Sequence, residues 1–163
     1  MTMKAQPTLR PALPKDKPAL LDLAEATGLF RDDELGGFDQ MLSEYFANHP
    51  EGHHWIADDD DGIKGAAYYA PEVFADQVWN LYFIGVHPNQ QGQGRGATLL
   101  HYVEQQLTIQ GGRLLLVETS GLDNFELTRR FYRKNGYDEE ARIREYYQEG
   151  NDKVIFRKKL SRA

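Results

Sequence analysis

The chain has 163 residues, 40% of them apolar, and a formal net charge of −6. That length suits one domain with a full core, and that apolar share argues against disorder. The acidic balance argues against a general nucleic-acid binder. The lack of cysteine excludes disulfides and thiol catalysis. With no apolar run long enough to span a bilayer and no apolar core in Met1–Pro7, a cytoplasmic protein without membrane association is expected.

In chain order, Thr8 to Leu13 reads as a first strand. Pro14-Lys15-Asp16 opens a helix with Asp16 as its N-cap, Pro18 is tolerated in the first turn, and Gly28 ends it. Leu35, Phe38, Leu42 and Tyr45 recur at three- and four-residue spacing and predict a second helix with one apolar stripe. His53–Ala57 and Ile63–Tyr69 read as strands joined at Asp58-Asp59-Asp60-Asp61-Gly62, where Asp-Gly signals a hairpin. The four carboxylates lack the further oxygen ligands of a calcium loop and read as a solvated turn, and no His, Asp and Glu arrangement has metal-ligand spacing. Val78–Val86 predicts a buried strand. Leu99, Leu100, Val103 and Leu107 mark a third helix, which Gly111-Gly112 stops. Arg113–Thr119 predicts another strand. A fourth helix starts near Asp123, where Asp123-Asn124-Phe125-Glu126 has capping-box spacing, and Asn135-Gly136 ends it. Leu127 and Phe131 form its apolar pair, with Phe125, Thr128 and Tyr132 as an adjacent stripe. Tyr137–Tyr147 and Lys153–Lys159 close the chain as a strand pair. The order β-α-α-β-β-β-α-β-α-β-β implies a mixed α/β (α+β) fold, its sheet mainly antiparallel with one parallel crossover.

That crossover carries the most informative segment, Val86-His87-Pro88-Asn89-Gln90-Gln91-Gly92-Gln93-Gly94-Arg95-Gly96-Ala97. Glycines between a strand and a helix let backbone N–H groups converge on an anion, and the helix dipole adds attraction. A P-loop needs Lys-Ser or Lys-Thr after its last glycine, and Ala97-Thr98 stands there instead. The dinucleotide fingerprint G-x-G-x-x-G is out of phase with Gly92, Gly94 and Gly96, although Glu118 mimics its ribose-binding acid. A connector without ligand is a further alternative. Gln-x-x-Gly-x-Gly is matched in full by Gln91, Gly94 and Gly96. With this loop, the element order and the run Thr128-Arg129-Arg130-Phe131-Tyr132-Arg133-Lys134-Asn135-Gly136-Tyr137, nearly the whole chain resembles the GNAT superfamily of N-acetyltransferases.

The resemblance implies a GNAT-type sheet of about six to seven strands, with a parallel splay between 78–86 and 113–119 and about four flanking helices. It implies one domain over residues 8–163 behind a short extension, 1–7. It further implies acetyl transfer from acetyl-CoA to a primary amine by direct attack, with no metal. By that analogy Ile84 and Val86 offer backbone groups to the pantetheine arm, and Gln91, Gly92, Gln93, Gly94, Arg95 and Gly96 surround the diphosphate. Asn124 is a further pantetheine ligand by analogy, although it lies one residue off the family spacing and also suits helix capping. Tyr132 is the expected general acid for the departing thiolate, a phenol with an ordinary pKa near ~10. Glu118 is the candidate base, with a structural ion pair as its alternative role. The acceptor class stays open among free amino acids, polyamines, aminoglycoside-like amines and protein amines, and the acidic chain favours a small molecule. A homodimer is compatible with this reading. The rival functions are a non-catalytic acyl-CoA sensor, a lysine or N-terminal protein acetyltransferase, and a nucleotide-dependent oxidoreductase.

Overall fold

A computed structural model describes residues 7–161. The expected 1–7 extension therefore lies, but for Pro7, outside the described residues. Seven strands and four α-helices follow one another in the expected order: β1 (Leu9–Pro11), α1 (Lys17–Thr27), α2 (Asp32–Asn48), β2 (His54–Asp59), β3 (Ile63–Pro71), β4 (Val78–Val86), α3 (Arg95–Ile109), β5 (Leu114–Ser120), α4 (Glu126–Lys134), β6 (Asp138–Gln148) and β7 (Asn151–Lys159). The sheet order is β1-β2-β3-β4-β5-β7-β6. Strand β1 pairs antiparallel with β2, and β7 pairs antiparallel with both β5 and β6. The crossover through α3 makes β4 and β5 parallel, in register from Val78↔Leu114 to Leu81↔Val117. No described helix is long and apolar enough to cross a membrane.

Two compact units share these elements. The first comprises the residues up to Tyr68 together with Phe83–His101. Its core is aromatic: Phe38 lies edge-on to Trp55 and Phe83, each at 5.6 Å, and Trp55 stacks on Tyr68 at 4.9 Å. Such pairs add about 0.5–1.5 kcal/mol each beyond their buried area. The predicted stripe of α2 is therefore core packing.

The second unit comprises Tyr69–Tyr82 and the residues from Tyr102 onward. Paired residues on neighbouring strands share a face and successive ones alternate. Val117 and Phe156 are partners, as are Leu115 and Lys158. Tyr132 of α4 packs on Phe156 at 5.5 Å, and Glu104 of α3 accepts from Lys158 Nζ at 2.9 Å. This face therefore carries the helices. The other face carries Asn80 beside Leu116 on β4 and β5, then Glu118 and Ser120, with Lys153 opposite Ser120 on β7.

Three local expectations change. Asp16 makes no side-chain cap to α1; it accepts from the Leu13 amide at 2.7 Å and pairs with Arg10 at 2.7 Å. A short 3-10 turn, Asp123–Phe125, precedes α4, and no side-chain cap forms. The buried face of α4 is Arg129 and Tyr132, whereas Leu127 is 77% exposed, because Arg129 caps carbonyls that the β5–α4 connection would otherwise leave buried and unpaired.

Candidate active site

The glycine loop opens where β4 ends. A 3-10 turn at Pro88–Gln90 follows His87, whose Nδ1 accepts from the Asn89 amide. Gln91 Nε2 donates to the Val86 carbonyl at 3.1 Å, so Gln91 braces the loop across its base. Gly92 and Gly94 have φ of 78° and 81°, and a Cβ on either would meet nothing within 4 Å. The first helical bond of α3 runs from the Thr98 amide to the Gly94 carbonyl at 3.0 Å. The amides of Arg95, Gly96 and Ala97 thus precede the helical ladder, with glycine at the N-cap and no acidic residue in the first turn. These are fixed, convergent donors of the kind that bind a phosphate.

Arg95 is engaged elsewhere. Its Nη1 pairs with Asp58 at 3.0 Å and its Nη2 with Asp60 at 2.5 Å, and these carboxylates raise its pKa, Asp60 most. Asp58, 2% exposed, also accepts from Thr8 Oγ1. The acidic turn expected to be solvated therefore anchors the first residue of α3. Ile84 and Val86 are half-buried on β4. In the same unit, His54 has a lowered pKa, from burial first and then from His53, which bonds the Tyr68 hydroxyl through Nδ1.

In the second unit, Tyr132 is 3% exposed, and burial pushes its pKa above the ordinary phenol range. It keeps its proton at any working pH. Neighbouring Tyr137 donates from its hydroxyl to Glu104 at 2.6 Å. Asn124 is exposed in its 3-10 turn and caps nothing.

Glu118 lies on the face opposite Tyr132. Its Oε2 is 3.0 Å from Nζ of Lys153, whose ammonium also stands 3.5 Å from the Tyr146 ring centre. Burial would lower the Lys153 pKa, but Tyr146 and Glu118 outweigh it and the pKa rises. Tyr82 shares this face. Its pKa is raised by burial first, then by Glu72 and Glu118. Tyr147 is raised likewise by burial, with Lys153 opposing and Glu118 adding. Glu72, just beyond β3, accepts from Asn80 Nδ2 at 2.9 Å. Neither Glu72 nor Lys153 sits in a motif, so neither was among the residues expected at the site. Asn80 did carry a signal, as an amide in the middle of an otherwise apolar strand.

A family profile, the acetyltransferase (GNAT) domain, matches residues 50–139. A protein from Desulfovibrio desulfuricans assigned to the GNAT family of acetyltransferases is 33% identical and superimposes with a TM-score of 0.88 over 94% of this chain and 98% of that one. The ribosomal-protein-S18-alanine N-acetyltransferase from Escherichia coli shares the fold, at 20% identity and a TM-score of 0.78 over 96% and 95% of the two chains. An aminoglycoside 6'-N-acetyltransferase, solved in complex with coenzyme A, shares it at 18% identity and a TM-score of 0.76 over 94% and 97%. No curated protein sequence matches the chain.

Proposed function

Because the chain belongs to the GNAT acetyltransferase domain family, we propose that it is an acetyl-CoA-dependent N-acetyltransferase acting on a small primary amine, with residues 8–163 as one catalytic domain in the cytoplasm. The observation that carries this reading is the start of α3, where three amides beyond two open glycines precede the helical ladder with no acidic residue in the first turn. These residues fit a diphosphate: the amides from Gln91 to Gly96 hold it, Gln91 fixes the loop, and Arg95 positions the helix through Asp58 and Asp60. Ile84 and Val86 offer backbone groups to the pantetheine arm, and exposed Asn124 is its further candidate ligand. Bound acetyl-CoA supplies an activated acetyl thioester that a neutral amine attacks directly.

Each face of the second unit's sheet then has one task. On the helix side, Tyr132 holds a phenolic proton in a dry setting and delivers it to the departing thiolate. On the opposite side, Glu118 takes the proton that the amine releases, with Lys153 holding the carboxylate in place. The test is thiol release from acetyl-CoA over a panel of primary amines, with calorimetry of donor binding beside it. Turnover with a small amine is expected. Donor binding without turnover would make the protein a sensor, turnover only with peptides would make it a protein acetyltransferase, and displacement of the donor by NAD would favour an oxidoreductase.

A further inference from the structure

Asn80 is 3% exposed, yet it uses only half of its side chain. Its Nδ2 donates to Glu72, while its Oδ1 is buried and meets no donor among the described residues. A buried acceptor without a partner costs about 1–3 kcal/mol, so a strand that keeps one calls for an explanation. Its neighbour supplies one. Glu72 is a half-exposed carboxylate with no ion pair to any described cation, whereas Glu118 on the same face is matched by Lys153. Two acceptors therefore sit side by side, one anionic and reachable, the other neutral and deep. Hydroxyl-bearing Tyr82, two residues along the strand from Asn80, is close enough to both Glu72 and Glu118 for each to raise its pKa.

We propose that Glu72 and Asn80 form the seat for the acceptor's amino group, which donates one N–H to Asn80 Oδ1 and another to the Glu72 carboxylate. The seat takes a primary ammonium on an unhindered carbon, since two donors at adjacent positions must enter a site whose floor is buried. An alcohol supplies too few donors, and a secondary ammonium with two bulky arms, although it has two N–H groups, is too crowded for a site whose floor is buried. The inference rests on the acetyltransferase reading, for it identifies what the chain acetylates. Asn80 and Glu72 lie on the sheet face that carries Glu118, away from Tyr132, so the seat also agrees with the proposed division of tasks between the two faces.

The test is a titration followed by the side-chain amide resonance of Asn80 in two-dimensional NMR of the full chain, assigned by its loss in Asn80→Leu. The probe is n-butylammonium chloride, with n-butanol as its uncharged counterpart. A saturable shift with n-butylammonium, little or none with n-butanol, and a dissociation constant raised roughly 10- to 100-fold in Glu72→Gln are expected. In steady state the same variant should raise KM for the amine by that factor and leave donor affinity unchanged. Asn80→Leu should lose amine affinity while keeping or raising Tm, because it removes an unpaired acceptor; a purely structural Asn80 would lower Tm instead. A resonance unmoved by n-butylammonium, or moved equally by n-butanol, would overturn the seat even if the enzyme turns over. A saturable shift in a protein that releases no thiol with any amine would support the seat and overturn the transferase reading.

Discussion

Replacing Gly94 with alanine separates the fold from the proposed donor site. Gly94 has φ +81°, in the left-handed region, and a Cβ there meets nothing within 4 Å. The cost to stability is then backbone strain alone, about 1–2 kcal/mol. For a chain of this size that lowers Tm by about 2–8 °C. The methyl would be added next to the amides of Arg95, Gly96 and Ala97, at the proposed diphosphate site. Losing one charge-assisted bond of about 1.5–3 kcal/mol weakens acetyl-CoA by about 10- to 150-fold. Gly28, which ends α1 at φ +67° with the same open surroundings, is a matched control. Gly28→Ala should lower Tm similarly and leave donor affinity alone. Calorimetry with acetyl-CoA and thermal melts on both variants check this. Equal donor affinity in Gly94→Ala and the parent, in folded protein, would refute the assignment of the loop.

Tyr132→Phe should lower kcat roughly tenfold to a thousandfold, with KM for acetyl-CoA little changed; steady-state rates check it, and unchanged turnover would remove Tyr132 as the acid. Tyr137→Phe deletes a part-buried hydroxyl bonded to Glu104 at 2.6 Å and should cost about 1.5–3 kcal/mol, read by urea denaturation. Arg129→Met should cost about as much or more, because two carbonyls, Ser120 and Leu122, lose their donor. Acid stability should depend on Asp16, whose pKa is lowered chiefly by its bond from Arg10. A carboxylate with a depressed folded pKa stabilises above its unfolded pKa near ~3.9, and that contribution is lost as pH falls through the folded value. Asp16→Asn should therefore lower stability at neutral pH and flatten its decline below about pH 4, as Tm against pH will report.

Much of the architecture was legible because it depends on local signals. Alternation and three- to four-residue spacing located the strands and helices, and Gly92 and Gly94 take the positive φ that a loop between strand and helix required. What was illegible depends on partners distant in the chain. Arg95 is expected at the diphosphate until the fold places Asp58 and Asp60, over thirty residues earlier, against its guanidinium. Asp16 reads as a cap because its pairing with Arg10 requires the chain to turn back between them. Helix α4 misleads for a different reason. Its apolar residues suggest that Leu127 faces inward, but Arg129 is buried to satisfy Ser120 and Leu122, and that sets the rotation of the helix. Hydrogen-bond demand overrode hydrophobicity there.

The same reasoning ranks the two carboxylates on the acceptor face. Glu118 was visible as a polar residue near the end of an apolar strand, but strand alternation alone could not show that Lys153, across β7, would neutralise it. An ion pair with a lysine that is 7% exposed holds Glu118 in place, and it also makes Glu118 a weaker attractant for an incoming cation. Glu72 has the opposite balance, since its described partner is a neutral amide. In the proposed reading, attraction of the ammonium and removal of its proton therefore fall to different residues: Glu72 supplies the uncompensated charge, and Glu118 is the base that Lys153 positions. Lys153→Met tests this division: loss of the ion pair that positions Glu118 should lower kcat in steady-state thiol release and leave KM for the amine nearly unchanged. An unchanged kcat would assign the proton transfer to another group.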